Sequence, residues 1–247
     1  MRNKILKPIV FTLALLPLAR LVVLGFASDL GANPIEAITH QTGLWALILL
    51  LVSLAITPLR RITGVQWVIQ YRRMLGLFAF FYAVLHMLTY VWLDQFFNWH
   101  AMLKDIAKRP FITMGSAAFL TLVPLALTST QGAIRRLGRR WRQLHRLVYF
   151  SAAAAVIHFV WLVKKDIREP MIYAAVLALL LGYRVLTAML KAASTATRQP
   201  LQPARAPGPP ANANAFAGVE EPGPPANANA FAGVEEAASA TSAPGKP

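Results

Sequence analysis

Few side chains in this sequence can do chemistry. The 247-residue chain holds no cysteine and five histidines, at positions 40, 86, 100, 145 and 158. Without thiols, disulfides, thiolate metal sites, iron–sulfur clusters and thiol redox steps are all excluded. Two of the imidazoles lie in strongly apolar sequence, His86 in LFAFFYAVLHMLTYVW and His158 in LVYFSAAAAVIHFVW. Ionisable groups at membrane depth are expensive and usually have a function there. His86 follows Arg73 by thirteen residues, and His158 follows His145 by thirteen. At 1.5 Å per residue each interval is about 20 Å of helix. If the two segments run in the same direction, His86 and His158 share one level and Arg73 and His145 share another. Two imidazoles facing each other at one depth suit axial ligation of a haem iron. Zinc is a poorer match, because no nearby carboxylate or thiolate completes its shell. The plainer alternatives are an interhelical polar contact or a proton relay. His145, among arginines, also reads as a solvated basic residue. At 3.6 residues per turn His145 and His158 point about 140° apart on one ideal helix, so a single span does not aim both at one face.

The elements that must carry these residues are membrane helices. The chain is 56% hydrophobic and only 14% charged, more apolar and less charged than soluble domains usually are. Six apolar stretches have spanning length: 9–27, 43–59, 75–93, 111–128, 144–163 and 170–190. The first follows Arg2, Lys4 and Lys7 but is interrupted by Arg20 and lacks a convincing cleavage site, so it is expected to be a retained helix. Arg60, Arg61, Arg72 and Arg73 follow the second span, and Arg135, Arg136, Arg139, Arg140 and Arg142 follow the fourth. The loop after the first span has no Lys or Arg and carries Asp29 and Glu36. Basic loops stay on the cytoplasmic side, so both termini are expected in the cytoplasm. The net charge of +15 is then mainly a topology signal, and a nucleic-acid partner is not expected.

The expectation is an all-α, six-helix transmembrane bundle over residues 1–191, followed by a disordered cytoplasmic tail over 192–247. Within the tail, PGPPANANAFAGVEE at 207–221 is repeated letter for letter at 222–236. Two short Pro/Ala/Asn/Gly units cannot bury enough surface to offset their ordering entropy.

Several stretches in this order resemble the haem-binding membrane subunits of the periplasmic protein-methionine-sulfoxide reductase system, the MsrQ family, within the ferric-reductase-like transmembrane group. They are NPIEAITHQTGLWALILLLVSLAITPLRR at 33–61, RRMLGLFAFFYAVLHMLTYVW at 72–92, RPFITMG at 109–115, LALTSTQ at 125–131 and LGRRWRQLHRLVYFSAAAAVIHFVW at 137–161. The resemblance extends through about residue 190 and leaves out the repeats. It implies b-type haem, with His86, His145 and His158 where the family places its functional histidines, in a multi-pass protein of the bacterial inner membrane. It also implies electron entry from the membrane quinone pool and delivery to a periplasmic molybdopterin-dependent catalytic subunit, which carries the sulfoxide chemistry. FMN is implied too, although no flavin fingerprint is visible. The wider group stacks two haems on histidine pairs, but here Arg72 or Arg73 stands at the level of the inner histidine of the third span. One haem between His86 and His158 is therefore expected. Arg72, Arg73 and His145 are expected to form a basic pocket for an anionic cofactor or the inner edge of the electron path.

Two further residues can serve a cofactor. Arg20 is expected either to pair with a haem propionate or to snorkel to the interface. His40 is expected to be an interfacial residue at the start of its helix, with a propionate or quinone carbonyl as the alternative partner. His100, in an expected loop beside Trp99, is assigned no role. The rival readings are a transmembrane ferric or flavin reductase, a proton-coupled transporter, and a haem-free membrane anchor for a partner enzyme.

Overall fold

The structure is a computed structural model and describes residues 2–163 and 166–197. Its helices are α1 (Arg2–Phe26), α2 (Pro34–Thr63), α3 (Tyr71–Leu88), α4 (Trp99–Lys108), α5 (Pro110–Leu127), α6 (Gln131–Leu137), α7 (Arg139–Leu144), α8 (Leu147–Leu162) and α9 (Arg168–Thr197). A 3-10 turn, Gln66–Gln70, leads into α3, and a π-helical segment, Thr89–Asp94, leaves it. No strand occurs among the described residues. Six stretches are long and apolar enough to cross a membrane, built on α1, α2, α3 with its flanking turns, α5, α7 with α8, and α9. The chain is a multi-pass, all-α membrane protein.

The expected spans lie inside these six stretches or coincide with them to a residue or so. Three local differences have physical causes. The expected loop around His100 contains α4, started by the Asn98 side chain, which accepts from the Ala101 amide at 3.1 Å. Helix α4 mixes four polar or charged residues with six apolar ones, Met102 among them buried, as in an amphipathic helix lying along an interface. The fifth span is not one continuous helix: α7 ends at Leu144, His145 caps it, and α8 begins at Leu147. The ideal-helix offset between His145 and His158 therefore does not apply. Finally, α9 continues to Thr197, so residues 192–197 are helical rather than part of a tail. The two tandem repeats lie outside the described residues.

Two helical hairpins form the centre, α2 with α3 and α5 with α8, each pair packed along its length. The first begins where Asn33 accepts from the Glu36 amide at 3.3 Å, with Pro34 in the first turn, and α2 ends at Gly64 in the left-handed region, φ 70°. Small residues let α5 and α8 approach closely. Ala152 and Ala154 are buried on α8, and the buried Ser151 hydroxyl donates to the Ala118 carbonyl on α5 at 2.9 Å. In a bilayer such close packing and interhelical hydrogen bonding hold helices together, because lipid is as apolar as leucine. The core joins the hairpins through Leu50, Leu54, Phe78, Ala79, Tyr82, Ala152 and Phe159.

Helices α1 and α9 sit at the periphery, with many large apolar side chains exposed. One tyrosine pins α1. The Tyr82 hydroxyl, on α3, donates to the Ala14 carbonyl at 2.8 Å and accepts from the Leu18 amide at 3.1 Å. It replaces the backbone bond these two groups would make to each other, beside Pro17, which has no amide hydrogen to give. Tyr82 is 1% exposed and stands four residues before His86.

Candidate functional site

His86 and His158 are brought together. One is contributed by α3 and the other by α8, and their ring centres are 6.1 Å apart with the planes at 72°. His86 Nδ1 is 2.9 Å from the Thr39 carbonyl on α2, and His158 Nδ1 is 2.6 Å from the Phe111 carbonyl on α5. A carbonyl only accepts, so in both rings Nδ1 carries the hydrogen and Nε2 keeps its lone pair. A backbone acceptor on the far nitrogen is the usual outer-shell arrangement for a metal-ligating histidine.

Glycines make room for both rings. A Cβ at Gly43 would stand 3.0 Å from His86 Nδ1, and a Cβ at Gly115 would stand 2.8 Å from His158 Nδ1. The two sets share one register: the orienting carbonyl lies 47 residues before its histidine in both, and the glycine 43 before. Thr39, Gly43 and His86 of the first hairpin thus correspond, at a constant offset, to Phe111, Gly115 and His158 of the second. Under the same offset Arg73 corresponds to His145. Sequence reasoning missed Thr39, Phe111, Gly43 and Gly115. The repeated spacing of glycine and histidine was the signal available for the glycines, whereas backbone acceptors leave no trace in residue type.

A haem fits this donor set. A metal–imidazole bond of about 2.0 to 2.1 Å on each side, plus roughly 1.1 Å from each ring centre to Nε2, puts two axial rings about 6.3 Å apart. The observed 6.1 Å matches that spacing. No group of three or more His, Asp or Glu side chains that could hold a metal occurs among the described residues. The pair would supply two nitrogen ligands, and a tetrapyrrole is the kind of group that would bring the others itself. Immediately after His86 the helix widens into the π segment, and the Thr89 hydroxyl donates to the His86 carbonyl at 2.8 Å. Such π segments cluster at functional positions.

His40 stands at the mouth of this level. It is exposed, its ring is 5.9 Å from that of Phe159, and with Asn33, Glu36 and Gln41 it lines an open depression of about 420 Å3. Its neighbour Thr39 supplies the carbonyl for His86. Arg20 is exposed on α1 and makes no hydrogen bond or ion pair among the described residues.

At the opposite, arginine-rich end, His145 is half-buried and stacked on Trp141, ring centres 4.0 Å apart at 28°. Its Nδ1 donates to the Trp141 carbonyl at 3.2 Å, and Arg72 lies close enough to act on it electrostatically. Arg73 is exposed beside them. Sequence reasoning missed Arg184 on α9, which reaches into the same end. It donates to the Tyr149 hydroxyl at 2.6 Å and to the Leu54 carbonyl at 2.9 Å, and lies over the Tyr149 ring.

The chain is similar to characterised families over most of its helical part. The ferric reductase like transmembrane component family matches residues 42–157, a range that contains His86 and His145 and ends one residue before His158. The protein-methionine-sulfoxide reductase heme-binding subunit MsrQ of Herminiimonas arsenicoxydans is 52% identical over 190 residues, 76% of this chain and 87% of its own length. The subunit of the same name from Xanthomonas campestris pv. campestris strain 8004 is 60% identical over 156 residues, 63% of this chain and 72% of its own length. That of Xanthomonas euvesicatoria pv. vesicatoria is 52% identical over 204 residues, 80% of this chain and 94% of its own length. No solved structure matches. With relatives 52% identical over 76% and 80% of its length, and six apolar helices among its described residues, the chain belongs to the MsrQ family, within the ferric-reductase-like transmembrane group.

Proposed function

We propose that the chain is a haem b-binding electron-transfer subunit of the bacterial inner membrane. In this reading it passes electrons from the quinone pool to a periplasmic, molybdopterin-dependent methionine-sulfoxide reductase that repairs oxidised proteins. The observation that carries the proposal is the pair of facing imidazoles, 6.1 Å apart, each with Nδ1 committed to a carbonyl. A haem bound there supplies a one-electron ferric/ferrous couple. His86 and His158 would hold it through Nε2. The Thr39 and Phe111 carbonyls fix ring orientation and raise the basicity of Nε2, while Gly43 and Gly115 leave the rings room. The apolar helices around the pair set the dielectric and so help set the potential. The relatives' shared name, a heme-binding subunit of a methionine-sulfoxide reductase, supports the pathway. The chain offers no nucleophile or acid/base pair for sulfoxide chemistry, which we assign to the partner.

Orientation follows from charge. With the arginine-rich loops in the cytoplasm, His86 and His158 lie toward the periplasm, His40 at their outer mouth, and His145, Arg72 and Arg73 face the cytoplasm. We assign those three to an anionic cofactor such as FMN or to the inner edge of the electron path. We also assign one haem per chain, because guanidinium stays protonated and is a poor iron ligand.

The absorption spectrum of the purified protein, made with adequate haem supply, tests this reading against a haem-free anchor or transporter. The expected result is a reduced b-type spectrum that is largely lost in His86→Ala and in His158→Ala alone. Both variants keeping wild-type haem content and six-coordinate iron would overturn the assignment. Turnover with ferric iron or free flavin, but none with the periplasmic partner, would favour the alternative reductase.

A further inference from the structure

The arginine-rich end holds more charge than the haem reading uses. Arg61 at the end of α2 donates to the Thr187 hydroxyl on α9 at 3.2 Å. One turn back along α9, Arg184 binds the Leu54 carbonyl on α2. Leu54, Thr57 and Arg61 follow one another at three- and four-residue steps and so form a stripe on one face of α2. Both Arg61 and Arg72 lie close enough to Arg184 to act on it electrostatically. Three guanidinium groups from α2, α3 and α9 therefore converge on one corner.

Among the described residues no acidic side chain pairs with them. The six acidic residues of the helical part are Asp29, Glu36, Asp94, Asp105, Asp166 and Glu169, all on connections at the opposite end or at the helix starts beside them. Among the described residues the one ion pair is Arg109 with Asp105 at 3.3 Å. The corner also holds unused donors. Four buried side-chain polar atoms lack a hydrogen-bond partner among the described residues: Thr57 Oγ1, Gln70 Nε2, Tyr71 hydroxyl and Arg184 Nε. All four belong to α2, the start of α3 or α9 near this end. Buried donors are nearly always paired, and an unpaired one costs about 1 to 3 kcal/mol, so a cluster of them beside three cations points to an anionic acceptor with several oxygens.

The surroundings select the acceptor. Ile62 on α2 and Leu186 and Leu190 on α9 are large, apolar and exposed on the helix turns that carry these arginines, so this end of α2 and α9 presents apolar surface to acyl chains. Arg184 lies sixteen residues, about 24 Å, along α9 from Arg168, approaching the level where about 30 Å of hydrocarbon ends and headgroups begin. We propose that Arg61, Arg72 and Arg184 form a binding site for the phosphate of an anionic phospholipid, with its acyl chains lying against the exposed apolar residues of α2 and α9. The site clamps peripheral α9 to the α2–α3 hairpin through a shared counter-ion. It does not depend on the haem reading, but it competes with the anionic-cofactor assignment for Arg72, and the test below separates the two.

The test places the full-length protein in phosphatidylcholine nanodiscs with or without phosphatidylglycerol. Retained lipid is measured by native mass spectrometry, and the melting temperature is followed alongside it. Wild type is expected to retain one phosphatidylglycerol and to melt higher when it is present. Removing one charge-assisted contact in Arg61→Gln or Arg72→Gln should weaken retention about tenfold or more. The exposed Arg135→Gln should behave as wild type. Arg61 is exposed, so its variant should fold even where an Arg184 variant does not. The proposal is overturned if both variants keep phosphatidylglycerol as wild type does. It is equally overturned if inorganic phosphate or FMN displaces the lipid from wild type, which would assign the site to a soluble phosphate. Full loss of lipid selectivity on deleting the residues after Thr197 would also overturn it.

Discussion

Gly115→Ala adds one methyl group and should cost the protein much of its haem. The new Cβ would stand 2.8 Å from His158 Nδ1 and 3.0 Å from Cε1, whereas ordinary contact begins near 3.4 Å. The ring must therefore retreat by about 0.6 Å, and the Phe111 carbonyl at 2.6 Å resists any simple slide. Ligand constellations work only within about 0.5 Å of their productive geometry, so the displacement exceeds the tolerance. Gly43→Ala brings its Cβ to 3.0 Å from His86, a required retreat of about 0.4 Å, just inside it. Outer-shell changes at metal sites typically lower affinity 10- to 100-fold. We expect Gly115→Ala near the upper figure and Gly43→Ala near the lower. Alanine is the better helix former by about 1 kcal/mol, so the haem-free protein should melt no lower than wild type. That opposition separates a displaced ligand from a misfolded bundle. Haem per chain, the spin state of the iron and the melting temperature of haem-free protein are the measurements. Wild-type haem affinity with low-spin iron in both variants would refute the reasoning, as would a reversed order between them.

His145→Ala should slow electron entry while leaving most haem in place; two haems per chain in wild type, falling to one in this variant, would show instead that His145 ligates iron. Tyr82→Phe removes the two bonds that pin α1 to α3 and frees the Leu18 amide and the Ala14 carbonyl to pair with each other, so a loss of about 0.5 to 1.5 kcal/mol is expected in denaturant unfolding, with haem stoichiometry unchanged. Deleting the residues after Thr197 should leave haem content and midpoint potential as in wild type, since every proposed ligand and its orienting carbonyl lie within the bundle; a truncated chain unable to take up haem would contradict this.

Much of this was legible in the sequence because a membrane enforces its rules on composition. Length and apolarity gave the six spans, and matched spacing from Arg73 to His86 and from His145 to His158 gave the level at which the histidines meet. What escaped depended on backbone. The break at His145 and Arg146 is a change of backbone direction within an apolar, helix-favouring run. Helix α4 was hidden by its brevity and by the charged residues on its face. Arg184 looked like an ordinary basic residue of the last span, since its partners, a carbonyl of α2 and a tyrosine of α8, are remote in sequence.

The shared register of the two hairpins bears on how such a site is assembled. Each histidine takes its orienting carbonyl and its glycine notch from the helix it is hairpinned to, His86 from α2 and His158 from α5. Each half-site is thus complete within one pair of consecutive spanning helices, before the two pairs meet. Membrane helices insert first and associate afterwards, so each imidazole can be set in its tautomer and rotamer while its hairpin is still alone in the lipid. Only docking of the two hairpins then remains, and the long-range step in making the site is the approach of two preformed halves.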